Sequence, residues 1–254
     1  MTTAMSEPAS TLPAGAPADR WAITHAPSHI RLWMVAVVGL VADLWTKAWA
    51  FRELQPHESR TIIENLASYK LSLNPGALFG IGAGLAPVFV GASVLALMFV
   101  LYLFANSSTK RWSMHFALGL VLAGAVGNLY DRATQTAYVA HYADGSRVIG
   151  TLVEETDNTI RLGDFPHGTN ARPYPRPPST SKSGLQPVVR DFIKIEAKIG
   201  KLELWPWIFN IADALLVVGV VILLINFWFD RDHQPLQDTS SSSAAASASA
   251  SINA

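Results

Sequence analysis

The chain has 254 residues, of which half are apolar and only 15% are charged, and its mean hydropathy is +0.25. Nineteen Lys and Arg residues balance nineteen Asp and Glu residues, so no overall charge favours nucleic acid as a partner. The absence of cysteine excludes disulfides, thiolate metal sites and a cysteine nucleophile. The apolar residues are clustered in long runs, which indicates an integral membrane protein.

Both ends of the chain have a low-complexity composition. Residues 1–29 are rich in Ala, Pro, Ser and Thr, without the apolar core or cleavage pattern of a secretory signal, so a disordered tail is expected there. Residues 231–254 are rich in Ser and Ala and are also expected to be disordered. The folded domain is therefore predicted to cover residues 30–230.

Four apolar runs approach the length of about 20 residues that a helix needs to cross a membrane. They predict transmembrane helices over residues 30–51, 85–105, 112–130 and 207–229. Tryptophans flank the runs, as expected at a membrane interface. A soluble helical bundle is the alternative, but the second and fourth runs have no polar face. The predicted fold is an all-α membrane protein with four transmembrane helices.

The polar connections are predicted to contain short β-structures. Residues 52–84 contain a Leu-Ser-Leu alternation followed by Asn74-Pro75-Gly76, which predicts a small extracytoplasmic β-element between the first two helices. A long polar insert, residues 133–187, separates the third helix from the fourth. Within it, residues 146–162 predict a β-hairpin around a turn at 156–158, and residues 173–187 predict a linker.

Charge bias gives only a mild indication of orientation. An even number of spans puts both termini on one side of the membrane. Arg31, Lys110, Arg111 and Arg231 mark that side as cytoplasmic under the positive-inside rule. Cations at positions 52, 132, 194, 198 and 201 lie near the opposite side and weaken the bias.

Polar residues are concentrated at one end of the predicted bundle. In an up-down-up-down bundle, the ends of the first and third helices share a membrane face with the starts of the second and fourth. The polar groups that meet at this face are Asp43, Lys47, Asn74, Gly76, Asn128, Asp131, Arg132, Asn210 and Asp213. An ionisable group inside a membrane span is a functional-site hypothesis.

Most of these groups also have a purely structural interpretation. Asp43 and Lys47 lie four residues apart, so they share a helix face and can neutralise each other. Asp131 can pair with Arg132, and the asparagines can form interhelical hydrogen bonds. Asp213 has no basic residue within a turn or two of its helix. If a second carboxylate lies beside it, the pair can share one proton, as an aspartyl hydrolase requires. The residues alone do not name the second acid.

Five sequence blocks, in chain order, carry a resemblance to a known family. They are Asp43–Lys47 (DLWTK), Asn74–Phe79 (NPGALF), Gly124–Arg132 (GAVGNLYDR), Val189–Ile193 (VRDFI) and Phe209–Asp213 (FNIAD). Together they resemble the lipoprotein signal peptidases (signal peptidase II) of bacterial inner membranes. The resemblance implies an intramembrane aspartic endopeptidase without metal or organic cofactor. It would cut diacylglyceryl-modified prolipoproteins before the lipid-modified cysteine, near the outer face of the membrane.

The resemblance also implies roles for individual residues. The catalytic dyad maps onto Asp191 and Asp213. The substrate-binding or supporting residues map onto Asp43, Lys47, Asn74, Gly76, Asn128, Asp131, Arg132, Asn210 and Ala212. Arg132 is expected to order Asp131 and the loop above the site, and the β-element within residues 52–84 is expected to cradle the substrate. The expected partners are prolipoprotein substrates and membrane lipid, with no nucleic acid, and the protein is expected to be a monomer.

Three departures from the family pattern leave alternatives open. Lys194 stands where the family commonly has a second acid, the insert is longer than usual, and the spacing from Asp191 to Asp213 is a few residues long. One alternative is a small ion- or proton-coupled transporter or channel subunit. Another is a catalytically degenerate family member that binds lipid or assists assembly.

Overall fold

Four helices form the main body of the protein. The structure is a computed structural model that describes residues 21–76, 86–178, 181–200 and 202–231. The helices are α1 (Ala26–Glu53), α2 (Ala86–Ala105), α3 (Trp112–Thr134) and α4 (Ile211–Arg231). Each overlaps one of the predicted apolar runs, although α4 begins four residues later than predicted.

The predicted N-terminal tail is wrong for its last residues. Ala22–Thr24 forms a 3-10 turn and α1 begins at Ala26. Pro27 lies in the first turn of α1, where its missing N–H removes no helical hydrogen bond. Residues 1–20 and 232–254, which contain most of the two predicted tails, lie outside the described residues.

Eleven strands accompany the helices in the described part of the chain. They are β1 (Arg60–Ile63), β2 (Ala67–Asn74), β3 (Thr136–His141), β4 (Arg147–Glu155), β5 (Thr159–Asp164), β6 (Thr169–Pro175), β7 (Gly184–Pro187), β8 (Val189–Ile195), β9 (Lys198–Ile199), β10 (Leu202–Glu203) and β11 (Ile208–Phe209). They form a four-stranded sheet in the order β1-β2-β8-β11, a five-stranded sheet in the order β6-β5-β4-β3-β7, and a β9–β10 pair.

The prediction of an all-α protein is therefore wrong. The strands β1 and β2 lie where the small β-element was predicted, but antiparallel pairing with β8 and β11 extends it into a four-stranded sheet. Ser72 of β2 is paired with Asp191 of β8, more than 100 residues later in the chain. Such pairing depends on contacts between distant segments, which local sequence patterns do not report.

The polar insert folds into the five-stranded sheet. The predicted hairpin is confirmed by β4 and β5, which pair antiparallel. The predicted linker is wrong, because β6 pairs with β5 and β7 pairs with β3. Buried Tyr138, Ala140, Ile160 and Leu162 form a separate small core in this sheet. The insert is thus a folded unit built on the end of α3.

The helices have the surface of a membrane protein. Within the described residues, Ala26–Glu53, Trp112–Thr134 and Ile211–Phe229 are long and apolar enough to cross a membrane, and Gly91–Ala105 is a shorter apolar helix. α3 is the central helix, with two thirds of its apolar window buried, whereas α4 buries 17% of its own. The remaining face of α4 exposes Val217, Val221 and Leu224. A continuous exposed apolar face of this kind requires lipid around it.

The four-stranded sheet packs on the end of α1. Phe192 of β8 is buried against Ala50 and Leu54. Because successive side chains of a strand point to opposite faces, Asp191 is directed away from α1, toward α3 and α4. Packing of a single aromatic side chain therefore sets the direction of its acidic neighbour.

Candidate active site

Asp213 is held at the first turn of α4 by a reciprocal pair of hydrogen bonds. The Asn210 Oδ1 atom accepts the Asp213 N–H at 3.0 Å, and the Asp213 Oδ2 atom accepts the Asn210 N–H at 3.3 Å. This is a capping box, in which the residue before the helix and the third helical residue satisfy each other's backbone donors. The carboxylate therefore lies at the positive end of the helix dipole.

Two asparagines connect Asp213 to a second carboxylate, Asp191. The Asn210 Nδ2 atom donates to Asp191 Oδ1 at 2.6 Å, and the Asn128 Nδ2 atom donates to Asp213 Oδ1 at 2.7 Å. Asn210 also donates to Asn128 Oδ1 at 3.3 Å. One hydrogen-bonded chain thus joins β8, α3 and the start of α4.

The environment of Asp191 favours its protonated form. Only 2% of its surface is exposed. Burial raises the pKa of Asp191 well above the usual carboxyl range, and the negative charge of Asp213 raises that pKa further. Hydrogen bonds from Asn210 and Asn74 act in the opposite direction but do not reverse the shift.

A buried network of charged side chains is hydrogen-bonded to the residues that hold the two acids. The Lys47 Nζ atom lies 2.8 Å from Asp43 Oδ2, 3.5 Å from Asp131 Oδ2 and 3.2 Å from Asn128 Oδ1. Lys47, Asp43 and Asp131 have no exposed side-chain surface. The Asp43 Oδ1 atom accepts the Ala212 N–H at 2.8 Å and so fixes the first turn of α4.

Arg190 completes this network. Its Nη2 atom donates to Asp131 Oδ1 at 2.7 Å, and its backbone N–H donates to Asp131 Oδ2 at 3.0 Å. These contacts tie β8 to the end of α3 beside Asp191. Arg190 was missed as a site residue from the sequence, although it lies in the matched VRDFI block next to Asp191.

Arg132 contacts the turn that follows β2. Its Nη2 atom donates to the Gly76 carbonyl, while Asp131 is held by Lys47 and Arg190. The Gly76 N–H in turn donates to Asn74 Oδ1 at 3.0 Å, which forms a short turn after β2. Arg132 also lies within electrostatic range of Asp191 and Asp213.

Two glycines of α3 allow the helices to approach closely at this point. A Cβ atom on Gly127 would collide with the Asp43 carboxylate and lie 3.3 Å from the Ala212 Cβ. A Cβ atom on Gly124 would collide with the Ala212 carbonyl. The contact between α3 and the start of α4 therefore requires glycine at both positions.

An apolar groove opens beside Asp213. Its volume is about 480 Å³, and it is lined by the side of α4 and by the chain that leads to β11. The groove contains Asn74 and Asp213 as polar groups, with Trp205, Trp207 and Val217 among its apolar walls. Asp213 is partly exposed here, whereas Asp191 lies behind it. We call this cavity the apolar groove.

All eleven residues implied by the sequence lie in this one region. They are connected by the hydrogen bonds and ion pairs described above. Lys194 stands where the family commonly has a second acid. Its side chain is directed away from the site, because its Nζ atom lies 3.2 Å from Glu203 and donates to the Pro206 carbonyl at 3.0 Å. Within the described residues, no group of three or more His, Asp or Glu side chains could hold a metal ion.

The fold and this site define a class of protein: a helical membrane protein with two carboxylates paired at the boundary between its helices and an extramembrane sheet. Comparisons with known proteins name the class further. Residues 35–229 match the family model described as signal peptidase (SPase) II. The chain belongs to the signal peptidase II family.

Individual relatives agree with this assignment. The chain is 30% identical over 231 residues to a lipoprotein signal peptidase of Rhodopirellula baltica, which covers 89% of this chain and 84% of the relative. It is 33% identical over 99 residues to a lipoprotein signal peptidase of Clostridium novyi, which covers 39% of this chain and 67% of the relative. These relatives make the family a bacterial one.

Solved structures share the fold. A structure described as a bacterial membrane enzyme aligns with a TM-score of 0.56 at 20% identity and covers 85% of this chain and 95% of its own. A second structure with the same description aligns with a TM-score of 0.51 at 21% identity, covering 85% and 96%.

Proposed function

We propose that this protein is an aspartic endopeptidase that removes the signal peptide from diacylglyceryl-modified prolipoproteins by cleavage before the lipid-modified cysteine. Family membership and the names of the relatives support the class of substrate. The observation that carries the aspartic mechanism is the hydrogen-bonded chain Asp213–Asn128–Asn210–Asp191. It links two carboxylates, of which Asp213 lines the apolar groove and Asp191 lies behind it.

The dyad shares one proton. Asp213 is the ionised partner, because it accepts hydrogen bonds from Asn128 and from the Asn210 N–H at a helix N-terminus. Asp191 is the protonated partner, because burial and the neighbouring charge raise its pKa. Asp213 then takes a proton from a water molecule, while Asp191 donates its proton to the scissile carbonyl oxygen. The resulting tetrahedral intermediate breaks its C–N bond as a proton passes to the leaving nitrogen.

The charge balance of the cluster supports this protonation state. Seven buried or half-buried ionisable groups meet here: Asp43, Asp131, Asp191 and Asp213 with Lys47, Arg132 and Arg190. Four carboxylates face three cations, so a single proton on the dyad makes the cluster neutral. A neutral cluster is the least costly one in surroundings from which water is largely excluded.

The apolar groove suits a lipid-bearing, hydrophobic substrate. It lies along α4, a helix whose outer face is exposed to lipid, so acyl chains and apolar side chains can enter it from the bilayer. Trp205 and Trp207 line it at the level where amphipathic rings favour the membrane interface. Asp213 lies on its wall, within reach of a peptide bond held in the groove.

Two observations argue against the alternative interpretations. A degenerate family member was suggested by Lys194, but this lysine pairs with Glu203 and leaves both dyad carboxylates in place. A transporter subunit is a different class from the family to which the chain belongs. Catalysis is therefore the function that the geometry favours.

The protein acts in the bacterial inner membrane as a multi-pass monomer, with α2 as the fourth span. Four spans return the chain to its starting side, and Arg31, Lys110 and Arg111 favour the cytoplasm for that side, so both termini are cytoplasmic. The sheets follow the ends of α1 and α3 and precede α4, so they share the opposite side with the dyad. The site then faces the outer surface, where lipoprotein precursors present their cleavage point.

Replacement of each dyad residue tests the function. Asp213→Asn and Asp191→Asn are purified in detergent or liposomes, and conversion of a diacylated prolipoprotein is followed by mass shift. The cleavage rate of each variant is expected to fall by a factor of at least about 10³. Each variant keeps only one of the two carboxyl groups, whereas the reaction needs one to activate water and one to donate a proton. Asp157→Asn, at the exposed turn between β4 and β5, is the matched control and should cleave normally.

Two outcomes would contradict the proposal. Full cleavage by either dyad variant would remove that residue from the mechanism. Failure of the folded wild-type protein to cleave the diacylated precursor would remove the function itself.

A further inference from the structure

Within the described residues, a short part of one edge of β2, Leu71–Leu73, has no strand partner. β1 pairs with β2 only as far as Tyr69, whereas β8 pairs with the opposite edge as far as Asn74. In the part of the chain that the structure describes, the edge of Leu71, Ser72 and Leu73 therefore presents free backbone groups. Such an edge accepts an additional extended chain.

A cleft lies along this free edge. It has a volume of about 290 Å³ and is bounded on one side by Leu71–Leu73 and on the other by the face of the five-stranded insert sheet. Phe51 and Phe165 meet across it at its base, with ring centroids 6.0 Å apart. We call this cavity the insert cleft. It is separate from the apolar groove, which contacts β2 only at Asn74.

The insert cleft carries excess positive charge. Arg147 and Arg172 line it, and neither has an ion-pair partner among the described residues. Asp164 is the acidic residue of the lining, and it faces His57 at 3.5 Å. By contrast, Arg161 and Arg176 of the same sheet pair with Glu154 and Glu155. Two exposed arginines without an ion-pair partner in the described part of the chain favour an anionic ligand.

The distance from the dyad fits a continuous substrate chain. Ser72, on the edge that borders the cleft, is the cross-strand partner of Asp191. A strand added to β2 would lie two strand spacings from β8, or about 10 Å. About three extended residues cover this distance. A chain cleaved at Asp191 and Asp213 therefore reaches the insert cleft within its first few residues.

We propose that the insert cleft binds the lipoprotein chain that follows the cleaved bond, as an extended strand added to the free edge of β2 and with acidic residues opposite Arg147 and Arg172. This subsite rests on the proposed function, and it gives the insert a role in substrate choice. The signal peptide and acyl chains occupy the apolar groove, and the polar chain beyond the cysteine occupies the insert cleft. A lipid headgroup could satisfy the arginines but would make no use of the strand edge.

The test compares substrates that differ only after the cysteine. The full-length protein in detergent is given lipidated precursors with one signal peptide and with either acidic or neutral residues directly following the cysteine. The acidic substrate is expected to have a kcat/KM roughly five- to tenfold higher, mainly through KM, as two exposed ion pairs would produce. Methylation of the substrate's backbone nitrogens in this segment should raise KM as well, because an added strand needs those donors.

Two double arginine variants test whether the preference for the acidic substrate arises in the insert cleft. Arg147→Gln with Arg172→Gln is expected to bring the ratio of the two kcat/KM values close to one. Arg161→Gln with Arg176→Gln, which removes the same charge from the same sheet outside the cleft, should keep the wild-type ratio.

Three results would overturn the proposal. Equal kcat/KM values for acidic and neutral substrates in wild-type protein would remove the subsite while leaving the proposed function intact. A preference that depends on anionic phospholipid in vesicles rather than on the substrate would assign the arginines to lipid. Failure of wild-type protein to cleave either substrate would remove the function and the subsite together.

Discussion

Ion pairs occupy two contrasting regions of this molecule. At the site, Asp43, Lys47 and Asp131 have no exposed side-chain surface, and Arg190 is 12% exposed. On the insert sheet, Arg161 pairs with Glu154 while both side chains remain about half exposed. If one partner of the buried network is removed, water cannot take its place. Water can replace either partner of the exposed surface pair. The same side-chain chemistry therefore fixes the geometry of the site in one region and contributes little to stability in the other.

The strongest test of this contrast removes Lys47. Lys47→Met keeps the packing of the aliphatic stem but leaves Asp43 and Asp131 without their shared cation. We expect a loss of about 3–5 kcal/mol in the free energy of unfolding and loss of cleavage, since an uncompensated buried charge is costly. Thermal unfolding in detergent and the precursor assay measure the two effects. Lys70→Met, at an exposed position of β2, is the control. Equal stability of the two variants would contradict a structural role for the buried network.

A second test changes the space around the network rather than its charge. Gly127→Ala would place a methyl group against the Asp43 carboxylate and Ala212, so α3 and α4 must separate. A destabilisation of about 1–3 kcal/mol is expected, with reduced cleavage because Asp213 moves with α4. Gly91→Ala in α2 is the matched helical control, since nothing lies within 4 Å of its added Cβ. A normal Gly127→Ala enzyme would show that close helix contact is not needed to hold the site.

The pH dependence separates Asp191 from exposed acids. The pKa of Asp191 is raised in the folded protein by burial and by Asp213, so folding favours its protonated form. The contribution of this shift to the free energy of unfolding is fully present below the ordinary carboxyl pKa. It is lost as the pH rises through the raised pKa, at up to about 1.4 kcal/mol per pH unit. The cleavage rate should fall over the same range of pH, because the dyad loses its shared proton there.

Asp191→Asn provides the comparison for this titration. It cannot ionise at this position, so its midpoint of thermal unfolding should vary less with pH than that of the wild-type protein. Identical pH profiles for the two proteins would refute the assignment of the proton to Asp191.

The smallest effect is expected on the insert surface. Arg161→Gln removes a half-exposed pair with Glu154 and should change the free energy of unfolding by less than about 1 kcal/mol. The thermal midpoint and the cleavage rate should both match wild-type values within error. A large loss in either would mean that the insert sheet depends on its surface charges as strongly as the bundle depends on its buried ones.

The sequence predicted the helices well and the strands poorly. A run of about 20 apolar residues is sufficient by itself to predict a span, so α1, α3 and α4 were located to within a few residues at most ends. Residues 173–187, which contain the end of β6 and the whole of β7, were predicted to be a linker because their Pro, Ser and Lys residues have low strand propensity. Pairing with β5 and β3 outweighs that propensity, and such pairing is visible only in the folded chain.

The structure brings the residues of the predicted site together, but most of the contacts among them were not predicted. Helix order alone indicated that Asp43, Asn128 and Asp213 share one side of the bundle, and the matched blocks added Asp191. The sequence suggested Arg132, its neighbour, as the partner of Asp131, and did not predict the contacts of Asp131 with Lys47 and Arg190. A helix turns its consecutive side chains about 100° apart, so neighbours on a helix do not face each other.

The sequence by itself determined which segments enter the membrane, which end of the bundle is polar and which family the blocks resemble. These properties depend on composition and spacing, which are local. Only the tertiary structure decided that the fold is not all-α, that β8 brings Asp191 to the start of α4, and that a cleft opens beside β2. These features depend on register and on the direction of side chains across distant segments, because hydrogen-bonded strands and buried charges find their partners in space rather than along the chain.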